Sequence, residues 1–182
     1  TDLIFSTFIG GVKDDYAQSI GIDDYGNAYI TGYTYIGSDF PVTENSFQKT
    51  NLGEFDVFLS KFNTNGSQLL FSTLLGGNSE DFGQTIYILN EQNIYLSGFT
   101  RSSDFPVTEN AYDKTYNDTS IIKSITSDVF LTKINSISGT LDYSSYIGGA
   151  AKDGSYILRL DKENNIIIAG VSESADFPVT PN

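Results

Sequence analysis

Carboxylates are the only abundant reactive side chains in this sequence, and the best placed stand just after a pair of glycines. Asp14-Asp15 follows Gly10-Gly11, and Glu80-Asp81 follows Gly76-Gly77. Oxygen-rich groups of this kind suit a hard cation such as Ca²⁺, which takes several carboxylate and carbonyl ligands. Calcium is therefore the one cofactor the residues raise, with Asp14, Asp15, Glu80 and Asp81 as candidate ligands. Neither pair forms the spaced Asp-x-Asp-x-Asp-Gly loop of a dedicated calcium site. Acids beside a Gly-Gly turn serve equally by accepting backbone N–H bonds.

Other chemistries fall away on residue type. The chain has no histidine and no cysteine, which removes Ser–His and Cys–His nucleophilic pairs and thiolate metal sites. A carboxylate- or calcium-dependent enzyme acting on glycans stays open because acids are plentiful, yet nothing singles out two of them. No phosphate-binding loop is present, since each Gly-Gly ends a strand with no helix or lysine motif after it. No catalytic residue is assigned, and the expected role is non-enzymatic.

The 182 residues carry 23 acids against 10 bases, a formal charge of −13. That balance argues against nucleic acid, whose phosphates demand a basic surface, and disfavours an anionic membrane. No apolar run approaches the ~18 residues of a spanning helix. The chain opens with Thr-Asp-Leu, without a basic-then-apolar stretch. Asn65-Gly66-Ser67 and Asn117-Asp118-Thr119 read as glycosylation sequons, a tripeptide common by chance.

The acids belong to a repeat. Leu-Ile-Phe-Ser-Thr-Phe-Ile-Gly-Gly at 3–11 returns as Leu-Leu-Phe-Ser-Thr-Leu-Leu-Gly-Gly at 69–77 and Leu-Asp-Tyr-Ser-Ser-Tyr-Ile-Gly-Gly at 141–149. Asp-Phe-Pro-Val-Thr keeps step at 39–43, 104–108 and 176–180. Its repetition points to a shared structural task in which Phe buries, Pro stiffens the loop and Asp ties its start. Repetition on this scale means stacked units, each too small to bury its own core.

Four strand-like segments recur per period. The first set is Ala17–Asp23, Asn27–Thr34, Phe55–Asn63 and Ser67–Gly76; the second is Gly83–Leu89, Asn93–Thr100, Val129–Asn135 and Leu141–Gly148. A third begins with Ser155–Asp161 and Asn165–Ser172, and Leu3–Gly10 reads as a lone fourth strand. Short turns such as Asp24-Tyr25-Gly26-Asn27 join antiparallel neighbours. The fourth strand is apolar on both faces, so both sides of the sheet must be covered. Like sheets stacked face to face satisfy this, and with four strands apiece the fold is an all-β propeller fragment of about 2.75 blades and eleven strands. Its expected parts are the last strand of a preceding blade (1–11), two blades (17–76 and 83–148) and the first half of a further blade (155–182). The leading strand of each unit, with small residues at one end, is expected innermost. Rings usually need about four to eight blades, so the remaining blades are expected from the same parent chain or from self-association.

These motifs resemble the seven-bladed beta-propeller repeat (SBBP repeat) of bacteria. The resembling parts are Phe5–Gly11, Asp14-Asp15, Ile20–Asp23, Gly26–Gly32, Asp39–Pro41 and Asp56–Lys61, and they recur in the second unit and more loosely in the third. A shorter similarity to NHL-repeat propellers lies in the Asp-x-x-Gly-Asn-x-Tyr turn. The third unit departs by Gly154 where Tyr16 and Phe82 stand, by Lys152 in place of an acid, and by Arg159 in its inner strand. The resemblance implies large secreted or surface-attached proteins in which the repeats are non-catalytic modules. It therefore implies an extracellular or cell-surface location, with protein or polysaccharide as the expected partner.

In a propeller, the links from fourth to first strand and from second to third open on one rim. Sixteen of the 23 acids fall there, so that rim is expected to be strongly negative. The 27-residue stretch Arg101–Ser127 on the same rim has 7 more residues between Asp-Phe-Pro and Asp128 than its sibling has between Asp-Phe-Pro and Asp56. Loops of that length are commonly functional, and Tyr112, Tyr116, Ile121 and Ile122 are the residues expected to make apolar contacts there.

Overall fold

The computed structural model describes residues 3–117 and 126–181. Ten strands and no helix occur among them: β1 (Asp15–Ile22), β2 (Ala28–Tyr35), β3 (Phe55–Phe62), β4 (Leu69–Leu75), β5 (Asp81–Asn90), β6 (Asn93–Thr100), β7 (Asp128–Asn135), β8 (Thr140–Ile147), β9 (Asp153–Leu160) and β10 (Ile166–Ser172). They form two antiparallel meanders, β1-β2-β3-β4 and β5-β6-β7-β8, and a two-stranded sheet, β9-β10. Gly26 (φ 86°) and Gly66 (φ 67°) supply the left-handed backbone of the β1–β2 and β3–β4 turns. The chain is thus an all-β propeller fragment of four-stranded blades.

The count is ten strands rather than eleven. Leu3–Gly10 pairs with no described strand, because a strand needs a hydrogen-bonding neighbour and the described residues offer it none. It still lies against the first blade: Ile9 packs on Phe40, Phe58 and Leu74.

The sheets stack in sequence. β5 touches β1, β2 and β3, and β9 touches β5, β6 and β7, so the three leading strands are consecutive neighbours on the inner side. The core is the space between blades. Val57, Leu59, Phe71 and Leu75 of the first meet Ile86, Leu96, Phe105 and Phe130 of the second in one buried cluster. Among the described residues no blade covers the outer face of β1. Ile20 is 65% exposed while its repeat equivalent Ile86 is 5% exposed, which measures what an adjoining blade removes from water.

Each leading strand carries an irregularity at the same place, between Ala17 and Ser19, between Gly83 and Thr85, and opposite Ala169/Gly170. The neighbouring strand presses so close there that a Cβ on Gly32, Gly98 or Gly170 would lie 1.8, 1.9 or 2.0 Å from a carbonyl oxygen. The repeated Thr-Gly and Ser-Gly sequences therefore encode a bulge rather than flexibility.

Candidate functional site: the carboxylate rim

The rim is built from three recurring clamps. At each Gly-Gly turn, the first residue of the next leading strand accepts the second glycine's N–H: Gly11 N to Asp15 Oδ2 at 2.7 Å, Gly77 N to Asp81 Oδ2 at 2.7 Å, Gly149 N to Asp153 Oδ2 at 2.8 Å. The following residue donates to the aspartate of Asp-Phe-Pro. Val12 N reaches Asp39 Oδ1 at 2.9 Å, Asn78 N reaches Asp104 Oδ1 at 2.8 Å, and Ala150 N reaches Asp176 Oδ1 at 2.9 Å. Turn and loop are thereby tied in every unit. The glycines are needed for room: a Cβ on Gly76 would lie 2.6 Å from Asp56 Oδ1 and 2.8 Å from Asp81 Oδ2.

The rest of Asp-Phe-Pro-Val-Thr has the structural task its repetition suggested. Phe40 stacks on Phe58 with ring centres 4.5 Å apart, and Phe105 on Phe130 at 4.9 Å. Thr43 N donates to Ser72 O while Ser72 N donates to Thr43 Oγ1; Thr108 and Ser144 repeat the exchange. In the two complete blades the motif thus latches the loop to the fourth strand of its own blade.

Position separates the four predicted calcium ligands. Asp14 is exposed, Asp15 half-buried, and Glu80 turns away to pair with Arg101, itself above the Phe82 ring at 5.9 Å. Asp81 is wholly buried, where Thr100 and Ser102 hydroxyls and Gly77 N–H donate to it. Among the described residues no three acidic side chains converge to hold a metal ion. Calcium chelation is expected to leave the melting temperature unchanged, since Asp81, the one of the four that is wholly buried, already accepts from N–H and O–H donors. A chelator-induced drop, restored by calcium, would return the ion to the rim.

What stands beside Asp81 instead is one other carboxylate, Asp56. Asp56 is fully buried and accepts Leu52 N at 3.0 Å, Gly53 N at 3.1 Å and Gln48 Nε2 at 2.7 Å. Burial pushes the Asp81 carboxyl up to about 8 against its hydrogen-bond donors, with the Asp56 charge adding to the rise. Burial likewise pushes Asp56 up to about 6, with Asp104 adding to it. The recurrence of Asp56 and Asp128 at the head of the third strand was the available signal for this grouping. What the spacing could not give was that a third-strand acid and the next blade's first-strand acid meet under one Gly-Gly turn.

The blades differ in one rim feature. In the first, Gln48 bridges the rim by donating to Asp56 and accepting Gly76 N at 3.1 Å. Asp113 takes its place in the second, its N–H and C=O bonded to β8 as those of Gln48 are to β4. The Asp113 side chain instead turns onto its own loop, accepting Thr115 N at 2.8 Å and Asn117 Nδ2 at 3.0 Å. A cleft of about 420 Å³ lies there, lined by Tyr112, Asp113, Asn117, Gly148, Gly149, Asp176 and Pro178. Tyr112 is 67% exposed beside it. Tyr116, expected as a contact residue, is half-buried against the core, and its hydroxyl donates to Thr126 O at 3.1 Å. It anchors the loop. Ile121 and Ile122 lie outside the described residues.

The opposite face holds a cluster the sequence did not announce. Lys61, buried, lies 2.6 Å from Glu91 Oε1, 3.8 Å from Asp23 Oδ2 and 5.1 Å from the Tyr29 ring centre. Burial opposes the Asp23 charge, but Asn27, Tyr29 and Lys61 together hold its carboxyl below the ordinary range. With Glu91 on the β5–β6 turn, this group pins the two blades together on that side.

Residues 4–41 match the family model described as beta-propeller repeat, SBBP. The match runs from the first repeated phrase through Asp-Phe-Pro, so the chain carries the SBBP repeat it resembles. No curated protein matches the chain.

Proposed function

We propose that this propeller-type module works without catalysis on the outside of a bacterial cell. It holds a protein or polysaccharide partner, or displays neighbouring domains, through the Arg101–Ser127 loop and the cleft beside Tyr112. The observation that carries this reading is how the rim carboxylates are used. In unit after unit they accept the same backbone N–H groups, whereas a catalytic pair keeps its oxygens for substrate and water. Distinctness between units lies elsewhere, where Asp113 stands in the place of Gln48. Irregular loops on a rigid sheet are where binding residues concentrate, and the exposed Tyr112 offers a flat apolar ring with a polar tip, suited to a sugar face or a peptide. The extracellular setting is taken from the family resemblance.

Binding to arrayed glycans and to purified surface proteins, measured without turnover, tests the reading. Tyr112→Ala is expected to weaken such binding about 10-fold and to leave the melting temperature unchanged. Soluble sugar released from a polysaccharide panel, and lost in Asp113→Asn or Asp176→Asn, would overturn the non-catalytic assignment.

A further inference from the structure

We infer that a cleft on the rim of the first blade binds a phenol, an aromatic ring carrying a hydroxyl group. The second blade shows the fit, because it fills the same place with its own tyrosines. The inference is independent of the cleft beside Tyr112. The first-blade cleft has a volume of about 420 Å³, and its lining includes Ser38, Asp39, Phe40, Lys49, Asn51 and Leu74. Its floor is apolar: Phe40 and Leu74 are buried and cluster with Phe58. Asn51 Nδ2 donates to Thr34 O at 2.9 Å, while Asn51 Oδ1 is buried and finds no donor among the described residues. An orphaned buried acceptor costs free energy that an incoming O–H group would relieve. Asp39 and Lys49 are the charged lining residues and cancel formally, which suits a neutral ligand held by an apolar floor and a few polar groups.

Hydrogen bonds fix the equivalence between the blades. Gln48 bonds to β4 as Asp113 does to β8, and Leu52 N donates to Asp56 as Asn117 N donates to Asp128. Asn51 therefore stands in the place of Tyr116. Leu74 faces Phe58 across the β3–β4 ladder as Tyr146 faces Phe130 across β7–β8. In the second blade the ring centres of Tyr116 and Tyr146 lie 6.1 Å apart, with Phe105 at 6.2 Å from Tyr146. Both hydroxyls donate to backbone carbonyls, Tyr116 to Thr126 O at 3.1 Å and Tyr146 to Ser102 O at 2.8 Å. These rings come from that blade's own loop and outer strand. The cleft in the first blade is thus opened by two exchanges within one blade, Asn51 for a tyrosine and Leu74 for a tyrosine.

The probe is p-cresol, the tyrosine side chain as a free molecule. Added to the full chain and followed by NMR, it is expected to shift resonances of Phe40, Leu74 and the Asn51 side-chain amide, with a dissociation constant on the order of 1 mM. Toluene, the same ring without the hydroxyl, is expected to bind about 10-fold more weakly. Asn51→Tyr installs the residue of the second blade; it is expected to fill the cleft, raise the melting temperature and abolish p-cresol binding. Asn51→Leu keeps the volume and removes the acceptor, so it should bind p-cresol and toluene alike, which keeps the test decisive if Asn51→Tyr does not fold. N-Acetyltyrosinamide separates the two sources of a phenol. Binding comparable to p-cresol assigns the ring to a tyrosine of a protein partner; exclusion where p-cresol binds assigns it to a free phenolic molecule, and either supports the site. Three results would overturn the inference: no shift at p-cresol concentrations on the order of 10 mM, equal binding of toluene by the unaltered chain, or the same shifts in Asn51→Tyr.

Discussion

Lowering the pH from 8 to 5.5 is expected to raise the melting temperature of this protein by roughly 5–10 °C, from a stability change on the order of 1 kcal/mol per pH unit. The source is Asp81, held up to about 8 by burial from an ordinary value of 3.8, with Asp56 up to about 6 beside it. Between 3.8 and about 8 the folded chain keeps a proton that the unfolded chain has released. The stabilisation is therefore complete below the ordinary carboxylate range and is lost as the pH climbs through 8. Asp23, Asp113 and Asp161, whose carboxyls are held low, act in the opposite sense, but only at or below about 4, outside this window. Reduced self-repulsion of the −13 chain works in the same direction as Asp81, so the decisive comparison is Asp81→Asn. That variant keeps the shape and removes the titration, and its melting temperature should change much less between pH 5.5 and 8. Asp14→Asn, on the exposed rim, should keep the full dependence. A wild-type curve that is flat, or that rises with pH, would show that Asp81 is ionised in the folded protein.

Phe130→Ala is expected to cost about 3–5 kcal/mol, the usual range for truncating a fully buried aromatic. The ring has no exposed surface, stacks on Phe105 at 4.9 Å, and belongs to the cluster through which the two complete blades meet. Collapse cannot refill the space, because β7 is fixed between β6 and β8 and Phe105 is held by the Thr108–Ser144 latch. Against a total stability of about 5–15 kcal/mol, the loss is large enough to partly unfold the chain at 37 °C. Urea denaturation should show a lower midpoint with little change in slope. Phe8→Ala, on a wholly exposed ring, is the control and should be silent. A cost below about 1 kcal/mol for Phe130→Ala would mean that the inter-blade space is not the core.

Taken together, the rim and the core assign different work to the two kinds of side chain that dominate the composition. Apolar residues hold blade to blade. Carboxylates hold turn to loop, and two of them meet under Gly76. The rim feature that breaks the repeat is the exchange of Gln48 for Asp113.

Much of the architecture was legible in the sequence because it is periodic. The spacing of the Gly-Gly and Asp-Phe-Pro phrases gave the four-stranded meander and the burial of Phe40 and Phe105, since a strand's alternation and a turn's glycine are set by neighbours in the chain. The strand expected at Leu3–Gly10 stays unpaired among the described residues for the complementary reason. A strand pattern states a capacity for pairing, and pairing depends on a partner distant in sequence. The same limit governed the site. That Asp15 and Asp81 lie beside glycines was visible, but not that a buried Asp56 from another strand would approach Asp81, or that Tyr116 would be spent on anchoring a loop. Local chemistry and periodicity by themselves determined which units exist and how each is wound. Only the packing of one sheet on the next decided which acids lost their water and which aromatic rings became core, because desolvation and close approach are properties of surfaces that meet, and no short window of the chain contains both.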